Sequence, residues 1–149
     1  QMATRRGVRV VGSASPANHE CLLSLGAELV VDYRDPGWPE QVRRWGAGGV
    51  DAALAIQPDT PASSQDVVRD GGHLVTVSGD PVPPQRGARV EQFSHRADAS
   101  KEMADVVEDV AFGRIRLVVE HVYPSDQALS ALEKTETRHA RGKLVVQVR

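Results

Sequence analysis

Short apolar runs alternate with amphipathic stretches along this chain, and turn residues punctuate each change. Val8 to Val11 ends at Gly12 and reads as a buried strand. Ser15 then offers an N-cap and Pro16 the first position of a helix. Cys21, Leu22 and Leu25 give that helix an apolar face, and Gly26 suits the left-handed residue that ends it. Leu29 to Val31 is a second strand. Pro36 to Trp45 is a second helix with Val42 and Trp45 on one side, broken by Gly46-Ala47-Gly48-Gly49. Val50 to Ile56 is a third strand and Pro61 to Arg69 a modest helix. Gly71-Gly72 breaks it, and His73 to Val77 is a fourth strand.

The prolines between Gly79 and Arg86 make that segment a loop, and Arg89 to Phe93 follows as a fifth strand. Met103, Val106, Val107, Val110 and Ala111 fall at helical spacing ahead of Gly113. Val118 to Val122 is strand-like. Ser125 to about Glu133 is a last helix, expected to turn Leu129 and Leu132 inward. Leu144, Val146 and Val148 alternate with Val145 and Gln147 in a terminal strand. Strand and helix thus alternate with short connections, and the strands are apolar and β-branched. That rhythm predicts an open, twisted α/β sheet, mostly parallel and covered on both faces. A flavodoxin-like fold has the same rhythm.

Composition narrows the functional classes. The 149 residues are 40% hydrophobic, enough for one domain with its own core. Eighteen basic against twenty acidic residues give a formal charge of -2, which offers nothing to nucleic acid. One cysteine, Cys21, excludes an internal disulfide and a cysteine metal site. The five histidines fall at no compact ligand spacing, so no metal is expected. No apolar run approaches membrane-spanning length, and the first residues carry no signal-peptide pattern. The expected compartment is the cytoplasm.

Three stretches form one continuous pattern: Arg9 to Glu20, then Leu25-Gly26-Ala27, then Val31-Asp32-Tyr33-Arg34. Gly48-Gly49-Val50-Asp51, Gly71-Gly72-His73-Leu74-Val75 and His139-Ala140-Arg141-Gly142-Lys143-Leu144-Val145 continue it in order. Together they resemble the medium-chain dehydrogenase/reductase superfamily, in its zinc-independent quinone oxidoreductase branch. The resemblance implies a Rossmann-like three-layer sandwich that binds NADPH or NADH. It also implies a GroES-like catalytic domain, most of which precedes the cofactor domain and is not in this chain. Such proteins reduce quinones or enones by hydride transfer without zinc, and are commonly dimers joined through sheet edges.

By the same resemblance, the usual first strand and its Gly-rich phosphate loop should precede Gln1. Gln1 to Gly7 looks like the tail of the helix that follows such a loop. No G-x-G-x-x-G occurs, and Gly46 to Gly49 precedes a strand where a phosphate loop must follow one. Residues 1–149 are therefore expected to be a truncated NAD(P)-binding domain. The first strand is central in this fold, so without it the Val8 and Leu29 strands lose their link to the Val50 strand. Three readings stay open: a longer natural chain, a second polypeptide that completes the sheet, or rearranged strands in a homodimer.

What remains is the adenosine side of a cofactor site. NAD-binding domains usually carry an acid at the end of the second strand, and here Gly12-Ser13-Ala14-Ser15 stands in its place. Hydroxyls tolerate a 2′-phosphate that an acid would repel, which favours NADPH. By resemblance, Ser13, Ser15, His19 and Tyr33 surround the adenosine phosphate and adenine. His19 stands where several relatives have lysine and is the weaker anchor, because imidazole charge depends on pH; Arg34 compensates. Ala55-Ile56-Gln57-Pro58-Asp59 lacks the glycines that relatives use for close cofactor approach. Ser78, in Val77-Ser78-Gly79, fits the loop near the nicotinamide. His95 is either a substrate contact or an ordinary loop histidine. Arg141 and Lys143 either pair with cofactor phosphate or form a basic turn entering the last strand. The functional expectation is an NADPH-dependent reductase whose catalytic residues are not readable here. The alternative is a degenerate Rossmann-like dimerisation or binding module without activity.

Overall fold

The structure is a computed structural model that describes residues 1–94, 98–137 and 140–148. His95 and His139 lie outside the described residues. The chain forms two compact units, Gln1–Ala97 and Asp98–Arg149.

In the first unit β1 (Val11–Ser13) leads through a 3-10 turn, Pro16–Asn18, into α1 (His19–Ser24) and β2 (Leu29–Val31). Next come α2 (Trp38–Trp45), β3 (Val50–Ala55), α3 (Pro61–Asp66), β4 (Val68–Thr76) and β5 (Arg89–Gln92). β1 pairs with β2 in parallel, Val11 opposite Leu29 and Ser13 opposite Val31. A second parallel sheet has the order β3-β4-β5, with Leu54 beside Val75 and Leu74 beside Val90. The second unit holds α4 (Ser100–Ala111), β6 (Val119–Pro124), α5 (Ala128–Glu136) and β7 (Lys143–Gln147). There β6 and β7 pair in parallel, Val122 beside Val145.

Every strand pair is parallel; helices connect β1 to β2, β3 to β4 and β6 to β7, while the proline-rich segment after β4 leads to β5 without one. The sheet is nevertheless in separate pieces. Among the described residues β1 pairs only with β2, and β3 only with β4. The break falls where the sequence pattern lacks a strand to join them. The two sheets of the first unit are joined instead by packing. Val31, Val42 and Val67 form a buried cluster, and Val11, Leu29, Trp38 and Val50 pack against it.

Several boundaries differ from the sequence expectation for local reasons. The first strand begins at Val11, and the ladder reaches one residue back through Glu28 N–H donating to the Val10 carbonyl at 2.8 Å. The helix expected from Pro36 starts at Trp38, because Asp35 organises a turn ahead of it. The Asp35 carboxylate accepts the Gly37 N–H at 2.8 Å and the Gln41 amide at 2.9 Å. The helix expected to reach Arg69 stops at Asp66, and Val68 already pairs with Val50. Gly71-Gly72 then acts as a bulge within β4 and not as a break between elements. A Cβ at Gly72 would sit 2.8 Å from the Asp51 carbonyl, so glycine is required where the two strands approach. Leu129 and Leu132 do not face inward. They are 75% and 55% exposed, and Ala131 is the buried residue of α5.

Candidate functional site

The carboxyl ends of parallel strands are where open α/β sheets bind ligands. At the end of β1, Gly12 lets α1 lie close: a Cβ there would meet Leu22 Cδ1 at 3.1 Å. Ser15 takes the N-cap position with extended backbone, but its hydroxyl caps no helix N–H. The Ser15 hydroxyl oxygen instead accepts the Asn18 side-chain amide at 3.3 Å. His19, the first residue of α1, reaches back to the Ala14 carbonyl at 3.0 Å. A carbonyl only accepts, so Nε2 carries the proton in that contact. The Ala14 N–H donates to the Val31 carbonyl at 2.9 Å, which ties the β1 turn to the end of β2.

The residues after β2 complete this cluster. The Asp32 carboxylate accepts the backbone N–H, Nε and Nη2 of Arg34, each at 3.0 Å. Those hydrogen bonds, with a smaller contribution from the nearby His19, hold the Asp32 carboxyl below its ordinary range. The Arg34 guanidinium is raised in turn and lies 5.9 Å from the centre of the Tyr33 ring. Ser13 and Tyr33 are exposed, while Ser15 and His19 are half-buried. The fold places Ser13, Ser15, His19, Tyr33 and Arg34 at the carboxyl ends of β1 and β2. It adds a residue that the sequence reading did not use: Asp32, an acid at the end of the neighbouring strand. Arg34 is therefore not an uncommitted cation. Part of its charge and two of its side-chain nitrogens are engaged by Asp32. The signal was present in the adjacency Val31-Asp32, one residue beyond the strand.

A second polar group lies at the carboxyl ends of β3 and β4. Asp80 Oδ2 accepts the Ser78 hydroxyl at 3.1 Å and the Asp59 N–H at 2.8 Å. Asp59 itself has a φ of +63°. The loop that carries Asp80 is anchored twice more. The buried Gln65 side chain donates to the Pro83 carbonyl at 3.1 Å. Arg86 Nη2 donates to the Gln65 and Val68 carbonyls at 2.9 and 2.8 Å. At the opposite end of these strands Asp51, Arg69, His73 and Arg89 line a shallow cleft. Asp51 pairs with Arg69 there at 2.6 Å, and His73 Nε2 lies 3.3 Å from a Glu91 carboxylate oxygen.

Arg141 and Lys143 belong to the second unit. The Arg141 N–H donates to the Glu120 carboxylate, which Lys134 also approaches at 3.4 Å. The Arg141 N–H and then Lys134 keep the Glu120 carboxyl below its ordinary range. The Lys143 N–H donates to the Val118 carbonyl at 2.8 Å as β7 begins. A Cβ at Gly142 would collide with the Val118 backbone. Strand entry thus explains the glycine of this motif.

Among the described residues no three histidine, cysteine or acidic side chains converge as a metal centre requires. Nor is any described helix long and apolar enough to cross a membrane.

A family model described as "Zinc-binding dehydrogenase" matches residues 25–146. A probable zinc-binding mitochondrial oxidoreductase of Arthroderma benhamiae is 30% identical over 93% of the chain and 44% of its own length. An NADPH-dependent alkenal/one oxidoreductase of Arabidopsis thaliana chloroplasts is 28% identical over 93% of the chain and 33% of its own length. Among solved structures, the quinone oxidoreductase of Coxiella burnetii superposes with a TM-score of 0.84 at 26% identity. It is covered over 99% of this chain and 47% of its own. The chain thus spans less than half the length of these relatives.

Proposed function

Because the chain belongs to the zinc-binding dehydrogenase family of the medium-chain dehydrogenase/reductase superfamily, we propose that it holds the adenosine side of the cofactor in an NADPH-dependent reductase of the quinone or enone type. The observation that carries this reading is the acid-free turn after β1. Ser13 and Ser15 offer hydroxyls there, and His19 is fixed across the turn by the Ala14 carbonyl. The two hydroxyls suit a ribose that bears a 2′-phosphate. Tyr33 and Arg34 flank it, and Arg34 keeps donors free beyond those that Asp32 occupies. The names of the Arabidopsis and Coxiella relatives support the same direction, an alkenal/one or quinone acceptor.

The cofactor, when bound, supplies the hydride, and the protein orients it. This chain's own residues would fix the adenosine end and so set the register of the cofactor along the strand ends. Ser78 would stand toward the nicotinamide end. A role without zinc is part of the same proposal. So is a homodimer through a sheet edge. The unpaired edges of β1 and β3 support a further strand between them, from an upstream segment or a second polypeptide.

The test is fluorescence titration of this chain with NADPH and NADH. Saturable binding with NADPH the tighter ligand is expected. No saturation by either nucleotide at millimolar concentration would overturn the reading. That result would favour a second one, a degenerate Rossmann-like binding or dimerisation module, for which the edges of β1 and β3 left unpaired among the described residues speak.

A further inference from the structure

We propose that Asp80 is a positioning residue that presents Ser78 to the nicotinamide half of the cofactor as a hydrogen-bond acceptor. The inference rests on the cofactor reading above and adds a polarity to the other end of the site. A dinucleotide spans the two halves of such a sheet across the carboxyl ends of the strands. With the adenosine at the end of β1, the other half falls to the loops after β3 and β4. Asp80 joins these two loops through one carboxylate oxygen, to the Asp59 N–H at 2.8 Å and the Ser78 hydroxyl at 3.1 Å.

A serine hydroxyl has one donor hydrogen and two acceptor lone pairs. A carboxylate is acceptor-only, so the Ser78 hydrogen must point to Asp80. The hydroxyl then has only lone pairs to offer a ligand. The Asp59 N–H is consumed by the same oxygen. At Ser78 the loop therefore offers lone pairs and no proton, and that position favours a ligand group that donates. A carboxamide NH2 does so, and a phosphate cannot. The arrangement is stiff as well as polar. Gln65 and Arg86 anchor the rest of the Asp80 loop to α3 and β4. Asp59 is held at φ +63°, a conformation that a side-chain-bearing residue adopts at a cost and that its tie to Asp80 helps fix.

The experiment compares NADPH with its reduced 3-acetylpyridine analogue, in which a methyl ketone replaces the carboxamide and no N–H donor remains. A third probe, 2′,5′-ADP, lacks the nicotinamide half. The wild-type chain is expected to prefer NADPH over the analogue by roughly two- to tenfold, the worth of one hydrogen bond. Ser78→Ala and Asp80→Ala should abolish that preference and leave 2′,5′-ADP affinity unchanged. Asp80→Asn keeps an acceptor oxygen and should retain the preference. An undiminished preference in Ser78→Ala or Asp80→Ala overturns the proposal. So does parallel weakening of all three probes, which marks a merely structural role. If 2′,5′-ADP binds and the wild type does not discriminate, this inference alone falls. If neither 2′,5′-ADP nor NADPH binds, the cofactor reading falls with it.

Discussion

Asp32 holds Arg34 by three hydrogen bonds of 3.0 Å, one from the backbone and two from the guanidinium. The pair puts a carboxylate beside the hydroxyl-lined turn proposed for the adenosine phosphate. Its negative charge opposes a phosphate there and offsets part of the Arg34 charge. Asp32→Asn is therefore expected to tighten NADPH binding by roughly two- to fivefold at low salt, with the gain shrinking as salt rises. Titrations at two ionic strengths check this; weaker NADPH binding by the variant would contradict it.

The same pair gives a signed pH dependence. Arg34 lowers the folded Asp32 carboxyl from its ordinary 3.8, and the Arg141 N–H with Lys134 lowers Glu120 from its ordinary 4.5. A depressed folded value means that the stabilisation is whole above the unfolded value. It is lost as pH falls through the folded one. Stability should therefore start to fall below pH 4.5 through Glu120 and below pH 3.8 through Asp32. Thermal melts across the acid limb should show a shallower decline for Asp32→Asn and Glu120→Gln. Asp32 is half-buried and Glu120 exposed, and solvent screening keeps the effect small; a decline as steep as in the wild type would exclude these carboxylates as its source.

Glycine at position 49 is a backbone requirement. Its φ is +138°, and a Cβ there would lie 2.8 Å from both the Arg69 nitrogen and the Val67 carbonyl oxygen. Backbone atoms on two sides leave no room to yield. Gly49→Ala is expected to cost about 2 kcal/mol or more in chemical denaturation.

Leu74 is fully buried in β4 between β3 and β5. Leu74→Ala should destabilise the protein by about 2–5 kcal/mol, the range for a truncated core leucine. The same substitution at Leu129, which is 75% exposed, should shift stability by less than about 0.5 kcal/mol. Urea titration of both variants distinguishes a core position from a merely apolar one.

His19 offers a gain-of-function check. Its contact with the Ala14 carbonyl leaves only one ring nitrogen for a ligand. His19→Lys replaces that with a permanent cation. It should strengthen NADPH binding several-fold and leave NADH binding nearly unchanged, since NADH has no 2′-phosphate. Equal gains for both nucleotides would place His19 away from the adenosine phosphate.

By itself the sequence determined the order and type of the elements. Apolar runs, periodic helices and punctuating glycines are local signals, and they set strand against helix from Val11 to Gln147. The family pattern was also local, carried by short motifs at fixed spacings. Tertiary structure decided what those motifs cannot encode. It extended β4 across Gly71-Gly72, because pairing with Val50 outweighs a local breaker. It turned Ala131 and not Leu129 inward, because burial depends on the neighbours a face meets and not on hydrophobicity alone. It also decided the chemistry of the site. Ser78 and Arg34 were legible as polar residues at strand ends, but their partners Asp80 and Asp32 were not read with them. Which proton or charge a side chain can still offer is fixed by where the chain brings its acceptors.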